Sequence, residues 1–94
     1  MKAFYKPPFR KFVKNQIRAL QLSIEDEIEK IIENPATGES KMGDLLGFRV
    51  HIFAFKKQKL LIAYKVSPDE MLFYRIGSHE NFYRNLKKYL KEGD

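Results

Sequence analysis

Residues 48–78, FRVHIFAFKKQKLLIAYKVSPDEMLFYRIGS, decide the fold. Phe48, Val50, Ile52 and Ala54 alternate with Arg49, His51, Phe53 and Phe55, the period of two of a strand. Lys56 to Lys59 is a charged hairpin turn, and Leu60 to Val66 is a nearly continuous apolar strand. Ser67-Pro68-Asp69-Glu70 is a second turn, because proline and aspartate both favour reversal there. Met71 to Ile76 makes a third strand, which Gly77 is expected to end. Three consecutive strands joined by short turns form an antiparallel meander.

Working outward, Ser78 is a plausible cap for a last helix running to Lys91, with Phe82, Leu86, Tyr89 and Leu90 in helical register. On the other side, Pro35 to Gly47 reads as the longest loop. Before it, Ser23-Ile24-Glu25-Asp26 resembles a capping box opening a helix with the stripe Ile24, Ile28, Ile31 and Ile32, stopped at Asn34-Pro35. An earlier helix starts at the Pro7-Pro8 pair and carries Phe9, Phe12, Val13, Ile17 and Leu20, with Gln21-Leu22 as the link. Lys2 to Tyr5 is a short first strand. The expected architecture is α+β, in the order β-α-α-β-β-β-α. A helical hairpin packs on a small, mainly antiparallel four-stranded sheet with a C-terminal helix, in a single domain over 1–94.

Composition narrows the function. Cysteine is absent, so disulfide frameworks, cysteine-based zinc fingers and thiol nucleophiles are excluded. No apolar run approaches a membrane span, and a cytoplasmic protein without membrane partners is expected. Eighteen Lys and Arg against twelve Asp and Glu give a net charge of +6, which suits a polyanionic partner. Residues 1–18 hold six cations and no acid, whereas residues 19–34 hold five acids and one lysine.

If Phe48, Val50 and Ile52 face the helices, Arg49 and His51 share the open face of the sheet. Lys56, Lys57 and Lys59 then lie at its rim, with Arg75, His79 and Tyr83 at the end of the last strand. Arginine clamps phosphate oxygens and histidine moves protons near neutral pH, so the set suits a phosphodiester. No carboxylate is expected on that face, which disfavours a two-metal site, and no cofactor is implied. Arg10 and Lys14 on the first helix offer either a solvated face or a landing strip for nucleic acid. Structural roles stand beside these: polar strand half for Arg49 and His51, ion pairing for Arg75, capping for His79, core contact for Tyr83.

Arg75-Ile-Gly-Ser-His79-Glu-Asn-Phe82-Tyr83, with Leu46-Gly-Phe-Arg49-Val-His51 and Leu61-Ile-Ala-Tyr64-Lys-Val66, resembles the RelE/ParE superfamily of type II toxin–antitoxin toxins. The resemblance implies a microbial toxin neutralised by a cognate antitoxin. RelE-like members cut messenger RNA on the ribosome without a metal, using the substrate's own 2′-hydroxyl. It implies His79 as general acid and Tyr83 as the aromatic that orients the base. Arg49 and His51 match basic positions of the first hairpin strand, and Arg75 an arginine of the subgroup ending in Gly-x-His. His51 is assigned to proton transfer with His79, and Lys59 adds charge. Leu61 departs from the pattern, since RelE-like members often place arginine there, and a further histidine and aspartate of the histidine-rich subgroup are missing. ParE-like members share the fold, lack the nuclease site and poison DNA gyrase. The expected function is a ribosome-dependent endoribonuclease, with a gyrase inhibitor as the alternative.

Overall fold

In the meander, Phe48–Phe55 pairs antiparallel with Gln58–Val66, which pairs antiparallel with Glu70–Ser78. The computed structural model describes residues 1–93. Its elements are β1 (Lys2–Tyr5), α1 (Pro7–Lys14), α2 (Arg18–Glu33), β2 (Glu39–Ser40), β3 (Phe48–Phe55), β4 (Gln58–Val66), β5 (Glu70–Ser78) and α3 (Phe82–Lys91). The sheet order is β1-β5-β4-β3-β2, with β1 parallel to β5 and the other pairs antiparallel. The α+β class is as expected, but the sheet has five strands. The extra one is β2, two residues inside the segment read as loop, pairing Glu39 with Val50 and Ser40 with Arg49.

Both faces of the sheet are covered. On one, Phe53, Leu60, Ile62, Tyr64, Met71, Phe73 and Ile76 pack against Phe9 of α1 and Leu20, Ile24 and Ile31 of α2. On the other, Phe48, Val50, Leu61, Ala63 and Tyr74 pack against Leu45 and against Phe82 and Leu86 of α3. This double burial explains why Leu60 to Tyr64 is apolar throughout, since a strand covered on both faces has no polar side. A bulge in β5 shifts the register: Tyr64 faces Phe73 while Ala63 faces Arg75, and Tyr74 is the extra residue between them.

Several element boundaries differ from the sequence reading. α1 ends at Lys14, and α2 begins at Arg18 rather than at Ser23. Leu20, Ile24, Ile28 and Ile31 form one continuous stripe, so burial carries the helix through Ser23 and overrides its capping preference. Gln21, expected in the link, instead donates from Nε2 to the Val13 carbonyl at 2.8 Å, satisfying a free acceptor at the end of α1. The β3–β4 turn is only Lys56-Lys57, both with positive φ (47° and 67°), which puts Lys59 on the strand. Gly77 does not end β5 but pairs with Leu61, and α3 starts after Asn81, whose φ of 60° is left-handed.

Candidate functional site

Strand parity groups the predicted residues correctly but assigns them the wrong side. Arg49, His51 and Phe53 point toward the helical hairpin, while Phe48 and Val50 lie under α3. His51 donates from Nε2 to Glu27 Oε1 of α2 at 2.7 Å, and Lys30 Nζ reaches the other carboxylate oxygen at 2.9 Å. The His51 and Glu27 side chains are only 14% and 12% exposed, so this pair lies in the layer between sheet and helix. Burial by itself would raise the Glu27 carboxyl, but hydrogen bonds from His51 and Lys30 outweigh it and hold the group below its ordinary value. Arg49 donates from Nη1 to the carbonyls of Gly38 (2.6 Å) and Ala36 (3.3 Å). Tyr64 grips the same segment, donating to the Pro35 carbonyl at 2.7 Å and accepting from the Gly38 N–H at 2.8 Å. Arg49 and His51 thus hold the α2–β2 connection and α2 to the sheet.

A second cluster forms where β5 turns into α3. His79 is exposed and meets Tyr83 edge-on, with ring centroids 6.1 Å apart. Lys41, from the segment after β2, places Nζ 5.3 Å from the Tyr83 ring centroid and pairs with Glu39 Oε1 at 2.7 Å. Its ammonium is held above its ordinary value, chiefly by the Glu39 hydrogen bond. Nothing in the sequence pattern pointed to Lys41, because a two-residue edge strand carries no periodicity.

Arg75 belongs to neither cluster. It lines a cleft of about 550 Å³ with Pro7, Lys11, Phe12 and Asn15 of the first helical segment and Tyr89 of α3, and burial lowers its pKa. Lys56 and Lys57 occupy the hairpin tip and Lys59 is exposed beside them. Leu61, two residues along the same face, is 1% exposed beneath α3. Arg10 donates to the Tyr5 carbonyl at 2.8 Å, and together with Lys14 it flanks a groove between α1 and α2. The predicted catalytic set is therefore divided: His79 and Tyr83 together, Arg49 and His51 across the sheet, Arg75 apart. Among the described residues no group of three or more His, Asp or Glu side chains is arranged to hold a metal ion. No helix there is long and apolar enough to cross a membrane.

A helical hairpin on one face of this sheet and a terminal helix on the other is a fold seen in bacterial toxins. Toxin RelE from E. coli, in its isolated form, superposes with a TM-score of 0.64 at 10% identity, covering 94% of this chain and 97% of that one. The intact E. coli RelBE toxin–antitoxin complex contains a chain that superposes at 0.66, again at 10% identity, covering 84% of this chain and 96% of the other. No curated protein matches the sequence. The class is the RelE/ParE superfamily. Within it, the chain belongs to the ParE-like toxins of type II bacterial toxin-antitoxin systems, whose family pattern it matches over residues 4–87.

Proposed function

We propose that this toxin acts by binding its target rather than by cutting RNA, in the gyrase-directed manner of ParE-like members. One observation carries the reading: the groups that RNA cleavage needs are split between opposite faces of the sheet. Cleavage through a 2′-hydroxyl requires a proton acceptor, cations at the phosphorane and a proton donor, all around one phosphate. Arg49 and His51 are committed to backbone carbonyls and to Glu27. The opposite side of the same strands offers Val50, Leu61 and Ala63, which carry no charge. Purified toxin is expected to abolish supercoiling by DNA gyrase and to leave message intact on programmed ribosomes. Full supercoiling at saturating toxin, with cleaved message, overturns the proposal.

A second reading, a ribosome-dependent messenger RNA endonuclease, is favoured by the His79–Tyr83–Lys41 cluster, in which His79 is exposed and the other two are half-buried. There His79 is the acid, Tyr83 orients the base and Lys41 supplies a cation, while Arg49 and His51 act only through the fold. If it holds, His79→Ala lowers cleavage at least about tenfold. In either reading the partner is a cognate antitoxin. The groove floored by Phe9, Val13, Ile24 and Ile28, about 380 Å³, has Arg10 and Lys14 along its α1 side and Glu25 on its α2 side, and the α1 side suits an acidic segment with apolar anchors.

A further inference from the structure

We infer that the outer face of α3 is a docking surface for the phosphate backbone of duplex DNA. Arg84, Lys87, Lys88 and Lys91 recur at the three- and four-residue spacing that stacks side chains along one side of a helix, and all four are exposed. The opposite side, with Phe82 and Leu86, is buried against the sheet. The four cations alone line a shallow trough of about 470 Å³. Residues 82–91 hold no acid, so +4 of the chain's net +6 sits on these ten residues, and Glu80 and Glu92 lie beyond the two ends.

Folding concentrates this charge rather than neutralising it. The cationic α1 lies beside the acidic α2, and these two excesses largely offset each other. α3 has no such neighbour. Glu92 follows its last turn, and Asp44, 84% exposed, lies 3.8 Å from Lys87. The helix dipole rewards Lys88 and Lys91 in the last turn, but it opposes Arg84 in the first, where no acid is present. Like charges three and four residues apart also weaken a helix. Helix stability therefore does not explain the pattern, whereas a polyanion does.

The kind of polyanion follows from what accompanies the cations. Tyr83 and Tyr89 are turned partly inward, and the apolar side chain at the edge of the arc, Leu90, is half-buried. An acidic peptide would need apolar anchors, and single-stranded RNA would need rings on which bases stack. A duplex backbone needs neither. From Arg84 to Lys91 the stripe spans about 10 Å of helix axis, a length that meets successive phosphates of one strand. Choosing DNA over RNA rests on the gyrase-directed reading, because gyrase presents duplex DNA to whatever binds it.

The test is fluorescence anisotropy with a labelled 30-base-pair DNA duplex, the RNA duplex of the same sequence and the single strands, across a salt series. A variant with Arg84, Lys87, Lys88 and Lys91 all changed to Gln is compared with a charge-matched variant changing Lys2, Lys11, Arg18 and Lys30 to Gln. Circular dichroism verifies that both are folded. The native chain should prefer the DNA duplex. The α3 variant should bind it at least about tenfold more weakly and reduce the slope of log K against log salt by about 3 to 4, with the control close to native. Absent DNA binding, equal weakening in the control, or preference for RNA or single strands overturns the inference. Gyrase inhibition is read separately. Inhibition without DNA binding removes this surface and leaves the functional reading; DNA binding through α3 without inhibition does the reverse.

Discussion

Gly38 is glycine because Tyr64 leaves no room for more. A β-carbon there would sit 2.6 Å from the Tyr64 hydroxyl and 2.8 Å from its ring. That ring is fully buried and cannot swing away. Gly38→Ala should cost about 1–3 kcal/mol in denaturant unfolding, through overpacking and loss of the Tyr64 hydrogen bonds. Arg49→Ala removes the charged donor to the same segment and is expected to lower stability by about 1–3 kcal/mol. Should toxicity fall in step with the folded fraction, Arg49 is structural; a loss at full folding would mark it as part of the site. His51 and Arg49 were legible as the polar half of an alternating strand. Which side that half faces was not, because alternation gives parity and no direction. Glu27 decided it, from 24 residues away in α2.

Among the elements, the β3–β4 hairpin stores avoidable backbone strain. Lys56 and Lys57 both sit at positive φ, where side chains other than glycine, asparagine or aspartate are disfavoured. Replacing the pair by Asn-Gly should raise the unfolding midpoint, worth about 1 kcal/mol, while removing two of the candidate nucleic-acid cations. Unchanged stability would mean that the turn relaxes at no cost. The meander itself was readable from its period and its turn residues. Element ends were less so: Ser23 imitates a helix start and Gly77 a strand end, yet each lies inside an element. Burial of Ile24 and Ile31 in one case, and pairing with Leu61 in the other, outweighs the local preference.

At the scale of the whole molecule, the His51–Glu27–Lys30 cluster ties α2 to the sheet, and its carboxyl titrates below its ordinary value. A carboxyl whose folded pKa is depressed stabilises the fold fully above its unfolded pKa. That contribution is lost as pH falls through the folded pKa. Native protein should therefore lose more stability between about pH 7 and about pH 3 than Glu27→Gln, measured as urea midpoints; parallel losses would show that the cluster contributes nothing. Antitoxin binding along the α1–α2 groove should weaken as salt rises, in titrations at low and high ionic strength, because Arg10 and Lys14 flank it. Invariant affinity would leave apolar contact alone as the driving force. By itself the sequence determined the α+β class, the strand meander, the cationic excess and the exclusion of cysteine chemistry, since periodicity and composition are local properties of the chain. Only the tertiary structure decided that β4 is buried on both faces, that Arg49 and His51 turn inward, and that α1 and α2 balance their charges while α3 keeps its own. Those outcomes depend on which surfaces meet, and burial and pairing between distant segments are not written in any one of them.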